Sequence, residues 1–165
     1  MSFDSFISKK NAVVVRSDEE CMGLAMKAAR YAKSKGEEPI GATVVVAKAQ
    51  FSEHSTVRSE GNPINTAGMN AIHKAMDMLP HKVVNGILYS TVEPDPLTVI
   101  AANTVGINEV VFGVFNPRDG FTSSKARKLD LSVYEIKHKG GVLADECFEL
   151  LSEDMKEYCE VEKPT

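Results

Sequence analysis

The chain has 165 residues, of which 43% are hydrophobic and 25% charged, with a formal net charge of -4. That length suits one domain with a real core, and those fractions are ordinary for a globular protein. No dense basic stripe, signal-peptide pattern or apolar run of spanning length occurs, so the expectation is a cytoplasmic protein with neither nucleic acid nor a membrane as partner.

Charge is unevenly placed. The last 24 residues, from Val142, carry eight acidic and two basic side chains, which leaves the rest at about +2. A weakly positive pocket for a nucleotide or other anion stays open on that balance. Cys21, Cys147 and Cys159 are odd in number and far apart, so no CxxC pair closes a zinc site. They read as thiols in a reducing compartment.

In chain order, residues 1–16 form an extension, with Asn11–Val15 as a short apolar run that either adds an edge strand or leads into the first helix. Ser17-Asp18-Glu19-Glu20 is a capping box, and Cys21, Met22, Ala25, Ala28, Ala29 and Ala32 follow at helical spacing. Gly36 stops that helix. Ile40 to Ala47 is a nearly continuous apolar strand, and Phe51 to Val57 alternates enough to pair with it as a hairpin. A helix is predicted over about 66–79, ended by Pro80. Strands follow over 87–92, 109–115 and 131–137. The predicted helices between them run over about 95–104 and 123–129, and a last acidic helix lies beyond Gly140-Gly141. Helices and strands in this order predict a three-layer α/β/α sandwich with a five-stranded mixed, mostly parallel sheet in a single domain over 1–165.

The segments Thr66-Ala67-Gly68 and Pro94-Asp95-Pro96-Leu97-Thr98, each opening a helix, carry a resemblance. So do Glu38-Pro39-Ile40-Gly41-Ala42, the Leu88 to Pro94 approach and Val111-Phe112-Gly113. Over about 18–124 the chain resembles the zinc-dependent deaminases of the cytidine deaminase-like superfamily, most of all the branch of tRNA adenosine, guanine and deoxycytidylate deaminases. That family opens the two helices with His-Ala-Glu and Pro-Cys-x-x-Cys. The resemblance implies a homo-oligomer, most simply a dimer, and zinc held by a histidine and two thiolates. A metal-bound water has a pKa near 7 against about 15.7 in bulk, so the ion is worth at most on the order of 12 kcal/mol in hydroxide availability. The glutamate then moves protons between that water and the base.

Here those positions read Thr66, Gly68, Asp95 and Thr98. Threonine hydroxyls bind zinc poorly, glycine has no side chain, and one carboxylate does not make a catalytic zinc site. No residue is therefore assigned as catalytic or as a metal ligand, and no cofactor is expected. The expected function is a deaminase-fold subunit without zinc or hydrolytic activity, serving nucleotide or nucleobase binding, regulation or scaffolding. The alternative is an enzyme with rebuilt chemistry in the same cleft, using Asp95, Glu93 and His54 as acid-base groups.

Asp95 before Pro96 reads first as a helix N-cap, and Thr66 as a helix-start residue. Two helix N-termini meet at this point, and their partial positive charge needs either Asp95 or a bound anion or water. The family's substrate-positioning asparagine aligns nearest to His54 or Ser55. His54, Ser55, Glu93 and Asp95 are thus the candidate ligand contacts. His73, His81 and His138 read as surface or packing residues, and Arg118, Lys125, Arg127 and Lys128 as one modest basic patch, by default a solvated face.

Overall fold

The computed structural model describes residues 16–79, 83 and 85–165. The expected N-terminal extension, the run at 11–15, Pro80 and His81 lie outside the described residues, apart from Arg16. The described elements are helix α1 (Asp18–Ser34), strands β1 (Gly41–Val46) and β2 (Ala49–His54), a one-turn helix α2 (Val57–Glu60) and helix α3 (Ala67–Met78). After these come β3 (Gly86–Val92), α4 (Pro96–Val105), β4 (Ile107–Val114), a 3-10 turn at Leu131–Val133, β5 (Lys137–Lys139), α5 (Ala144–Leu150) and α6 (Glu153–Lys156).

The five strands form one mixed sheet in the order β2-β1-β3-β4-β5. β1 is antiparallel to both β2 and β3, while β3–β4 and β4–β5 are parallel. The sheet is thus evenly mixed. The β1–β2 hairpin reverses the chain, and α3 then carries it across β1, so β3 lies alongside β1 pointing the other way.

Alternation along the strands divides the core in two. Leu88, Val110 and Phe112 face α3 and α4, where Ala71, Ile72, Ala75, Val99 and Ala102 are buried. Tyr89 and Val111 face α1 and α5, where Met22, Ala25 and Cys147 are buried. The alanines let α1 approach closely: a Cβ at Gly41 would run into the backbone of Ala25 and Ala29. The capping box of α1 has both halves in place, with Glu20 N donating to Ser17 Oγ at 3.1 Å and Ser17 N to Glu20 Oε2 at 3.3 Å.

Three expected elements differ. Residues 123–129 make turns instead of a helix, because Ser124 bonds back to Arg118 O and accepts from Arg127 N, closing the loop locally. The fifth strand is short and late, at 137–139, since Leu131–Val133 turns over an Asp130 cap. The last helix is two short ones, since Leu151 is extended and Ser152 starts a new cap on Met155 N. The chain then returns to the sheet, where Phe115 and Glu160 exchange backbone hydrogen bonds of 2.8 and 3.0 Å.

Candidate active site

A cleft of about 350 Å³ lies at the C-terminal ends of β3 and β4, where open α/β sheets place their ligands. The starts of α3 and α4 meet in its floor. Thr66 caps α3, its Oγ1 accepting from Met69 N at 3.3 Å. Asp95 caps α4, its Oδ1 accepting from Thr98 N at 2.8 Å, and Pro96 fixes the first helical turn. The two caps touch through Thr66 Oγ1 and Thr98 Oγ1, 3.3 Å apart. Thr98 is fully buried, and its methyl lies 2.6 Å from where a Cβ on Gly68 would stand. The floor is therefore closed by short side chains packed against each other. The second carboxylate oxygen of Asp95 has no hydrogen-bond partner among the described residues.

Glu93 enters from the end of β3 and is 2% exposed. Its Oε2 accepts from Asn116 N at 2.9 Å, and its Oε1 from Thr122 N at 2.9 Å, Ser123 N at 3.1 Å and the Thr122 hydroxyl. Gly120 passes so close that any Cβ there would strike Glu93 Oε2. The carboxylate is thus the post on which the 116–123 loop hangs, and neither oxygen is left for a ligand. That loop brings Arg118 and Asp119 to the cleft wall, where Asp119 pairs with Arg118 at 2.9 Å and Arg127 at 3.4 Å. The hydrogen bond to Asp119 raises the Arg118 pKa further.

The opposite wall comes from two places. Met155 and Tyr158 arrive from the C-terminal segment, and the Arg118 guanidinium lies over the Tyr158 ring at 4.0 Å from its centroid. Glu38 and Val57 arrive from the loop after α1 and from α2. Glu37 ties those two together, accepting from Arg58 N at 2.7 Å and Ser59 N at 2.8 Å. Burial alone would raise its pKa, yet these amides outweigh burial and hold it at about 2.

Four of the residues expected at the site lie in the floor: Thr66, Gly68, Asp95 and Thr98. His54 and Ser55 do not line the cleft. His54 bonds Ser55 O through Nδ1 at 2.7 Å and packs its ring on Tyr31, with centroids 5.1 Å apart. Ser55 is buried and its Oγ accepts from Val57 N at 3.4 Å. Asp95, Glu93 and His54 therefore do not converge as one acid-base set. Sequence reasoning missed Glu37, Glu38, Arg118, Asp119 and Tyr158 as parts of the site. The Asn116-Pro117-Arg118-Asp119-Gly120 turn, with its amide donors, is the one local hint that a buried acceptor waits for it.

Zinc at the helix starts would need imidazole and thiolate donors within bonding distance of one point. Two threonine hydroxyls and one carboxylate, each already in a hydrogen bond, do not supply them. No group of three or more His, Cys, Asp or Glu side chains suited to a metal occurs among the described residues. Cys147 lies on the other face of the sheet, packed with α1, and burial pushes its thiol up to about 12. The described residues do not fit the ion.

Comparison with known proteins adds what four positions cannot. Residues 15–114 match the family model for the cytidine and deoxycytidylate deaminase zinc-binding region. The tRNA-specific adenosine deaminase of Bacillus subtilis (strain 168) is 32% identical over 144 residues, covering 85% of this chain and 89% of that protein. A structure from work on A-to-I editing by tRNA:A34 deaminases superposes with a TM-score of 0.68 at 23% identity, over 80% of this chain and 99% of the other. The guanine deaminase of Nitrosomonas europaea superposes with a TM-score of 0.68 at 17% identity, over 88% of each chain. These last two support the fold.

The matches overturn three expectations and leave a fourth without support. The regulatory or scaffold subunit without deaminase activity gives way to similarity with enzymes over most of the chain, and with it the reading that the protein is not an enzyme. The expectation of no cofactor conflicts with a family defined by zinc binding. Nucleic acid, set aside on charge, is named as the substrate class of the Bacillus relative. The first three expectations share one source: function was inferred from a few replaced side chains, while similarity is spread over strands, helices and their order. The fourth came from the absence of a dense basic stripe. No described helix is long and apolar enough to cross a membrane. With the matched region covering 15–114 and a relative at 32% identity, this chain belongs to the cytidine and deoxycytidylate deaminase family.

Proposed function

We propose that the protein is an enzyme of the nucleoside and nucleobase deaminase superfamily, acting on the amino-bearing base of a nucleoside, nucleotide or RNA in the cleft at the two helix starts. The observation that carries this reading is the site itself. A base-sized cavity persists between the caps of α3 and α4, in a chain of a deaminase family. The name of the Bacillus relative makes adenine within RNA the first substrate to try.

Hydrolytic deamination forms a bond between water oxygen and the amino-bearing ring carbon, and ammonia leaves as the carbon–nitrogen bond breaks. One group must move a proton from the water to the departing amine. Asp95 is our candidate for it: it lines the cleft, one of its oxygens accepts from Thr98 N, and the other has no hydrogen-bond partner among the described residues. Tyr158 and Arg118 supply a flat face on the wall against which a base stacks.

The test measures ammonia release from adenosine-containing RNA, cytidine, deoxycytidylate and guanine, with metal content determined on the same preparation. Turnover on at least one of them is expected, and Asp95→Asn abolishes it. Asparagine caps helices as well as aspartate does, so that variant keeps the α4 start while removing the carboxylate. A folded wild-type protein that releases ammonia from none of the four refutes the reading. The same reading makes the protein a homodimer. Ile64, Met78 and Leu97, on the α3 and α4 side, are exposed and offer apolar surface for it. Light scattering during size exclusion reads the mass directly, and a monomer would remove this part.

A further inference from the structure

Beside the cleft runs a second groove of about 630 Å³, between the loop at 122–128 and the C-terminal segment at 160–165. Its charge is opposite to that of the chain as a whole. Arg118, Lys125, Lys128 and Lys163 line it, against the single acid Glu160. Lys125, Lys128 and Lys163 form no ion pair among the described residues, where Lys74, Lys139 and Lys156 do. The Ser123 hydroxyl also lies there without a hydrogen-bond partner among the described residues. Three unpaired ammonium groups gathered on one groove of a protein with net charge -4 repel one another and attract an anion.

The groove is tied to the cleft. Arg118 lines both, with its Nε held by Asp119 and its face on Tyr158. The terminal guanidinium nitrogens stay free to reach an anion between the two. The Thr122-Ser123 turn is fixed from below by Glu93, so the wall that carries the lysines is anchored to the same post as the cleft wall. The cleft is lined by Glu38, Glu93, Asp95 and Asp119 against Arg118 and Arg127, a balance that suits a neutral base and repels phosphate. Base and phosphate thus find separate, adjoining surfaces.

We infer that the groove lined by Lys125, Lys128 and Lys163 holds the phosphate of a substrate whose base enters the cleft. The substrate class is then a phosphorylated nucleoside or a strand, and free bases and nucleosides are poor substitutes. This inference rests on the cleft reading above and extends it by one subsite.

The experiment compares binding of adenosine, adenosine 5′-monophosphate and a single-stranded RNA of about twelve nucleotides to the wild type and to K125A/K128A/K163A, across a salt series. Lys33→Ala, on α1, serves as the control for loss of charge alone. The phosphorylated probes are expected to bind at least tenfold tighter than adenosine at low salt, and the triple variant to lose that advantage. For RNA the slope of log affinity against log salt should shrink by about two, from about 0.7 per lost phosphate contact. Binding of the monophosphate places a nucleotide in the groove, and tight binding of RNA alone places a strand there. Either supports the inference. It is overturned if phosphorylated probes bind no tighter than adenosine, or if the triple variant matches the control. Phosphate-dependent binding without turnover would keep the groove and sink the catalytic reading.

Discussion

Gly68→Ala tests the closure of the cleft floor. The new Cβ would stand 2.6 Å from the Thr98 methyl, about 1 Å inside ordinary carbon–carbon contact. Thr98 is β-branched and buried, so it has one way to yield. Rotation about χ1 moves its methyl away but swings Oγ1 off Thr66, breaking the cap-to-cap hydrogen bond. Overpacking of this kind costs about 1–3 kcal/mol. Against it stands the better helix propensity of alanine, about 1 kcal/mol in a helix interior and less near a start. Gly68→Ala should therefore destabilise by about 1–2 kcal/mol. Thr98→Ser keeps the hydroxyl and removes the offending methyl, at about 1 kcal/mol for lost apolar burial. In that background the alanine fills the vacated space, and its effect should change sign. A double-mutant cycle in urea, with midpoints converted at constant m, reads the coupling, expected at about 1–3 kcal/mol. Additivity within about 0.5 kcal/mol would refute the reasoning, because Thr98 would then not be what confines residue 68.

Glu93→Gln turns one acceptor oxygen into a donor facing amides that also donate. The expected cost is about 2–3 kcal/mol, and hydrogen exchange should quicken at Asn116, Thr122 and Ser123 before it does in β3. Glu37 has its pKa depressed in the folded state, so its contribution is fully present above the ordinary carboxylate range and is lost as pH falls through about 2. Glu37→Gln should thus be less stable than wild type at neutral pH, with the gap closing between about pH 4.5 and 2 in chemical denaturation; a pH-independent gap would count against it. Cys147 and Cys159, both buried and pushed up to about 12, should resist a thiol reagent at neutral pH in the native protein and react once it is unfolded.

What the sequence showed clearly was local. Ser17 with Glu20 announced the start of α1, and Asp95-Pro96 the start of α4, because a cap and its partner lie within three residues. The apolar run at 40–47 announced β1 because a central strand is buried on both faces. Thr66, Gly68, Asp95 and Thr98 were picked out by the resemblance to the family's two motifs, and their place in the floor follows because each sits at or near a helix start. The walls were hidden because their partners are distant. Glu37 meets Arg58 and Ser59 across more than twenty residues, Glu93 meets Thr122 and Ser123 across about thirty, and Tyr158 meets Arg118 across forty. No periodicity encodes such pairings. His54 failed as a site residue on a smaller scale, since a bond to its own neighbour's carbonyl turned the ring toward Tyr31.

The division between floor and walls has a consequence for where specificity resides. The floor is self-contained: two caps, a hydroxyl contact and a buried methyl fix it without help from the loops. The walls are each hung on a buried carboxylate, Glu37 on one side and Glu93 on the other, and both carboxylates accept backbone amides. Apart from Thr122, whose hydroxyl also donates to Glu93, side chains can therefore change along the walls without disturbing either post, since the posts otherwise accept backbone N–H groups. Arg118 and Asp119 project from the loop that Glu93 holds, Tyr158 from the C-terminal segment pinned to Phe115 through Glu160, and all three line the cleft. A family fold of this kind fixes the position of the base through the helix starts and leaves the choice of substrate to loops anchored by main-chain hydrogen bonds. On that argument, exchanging Arg118 or Tyr158 should alter which ligand binds while leaving the floor, and the stability it supplies, intact.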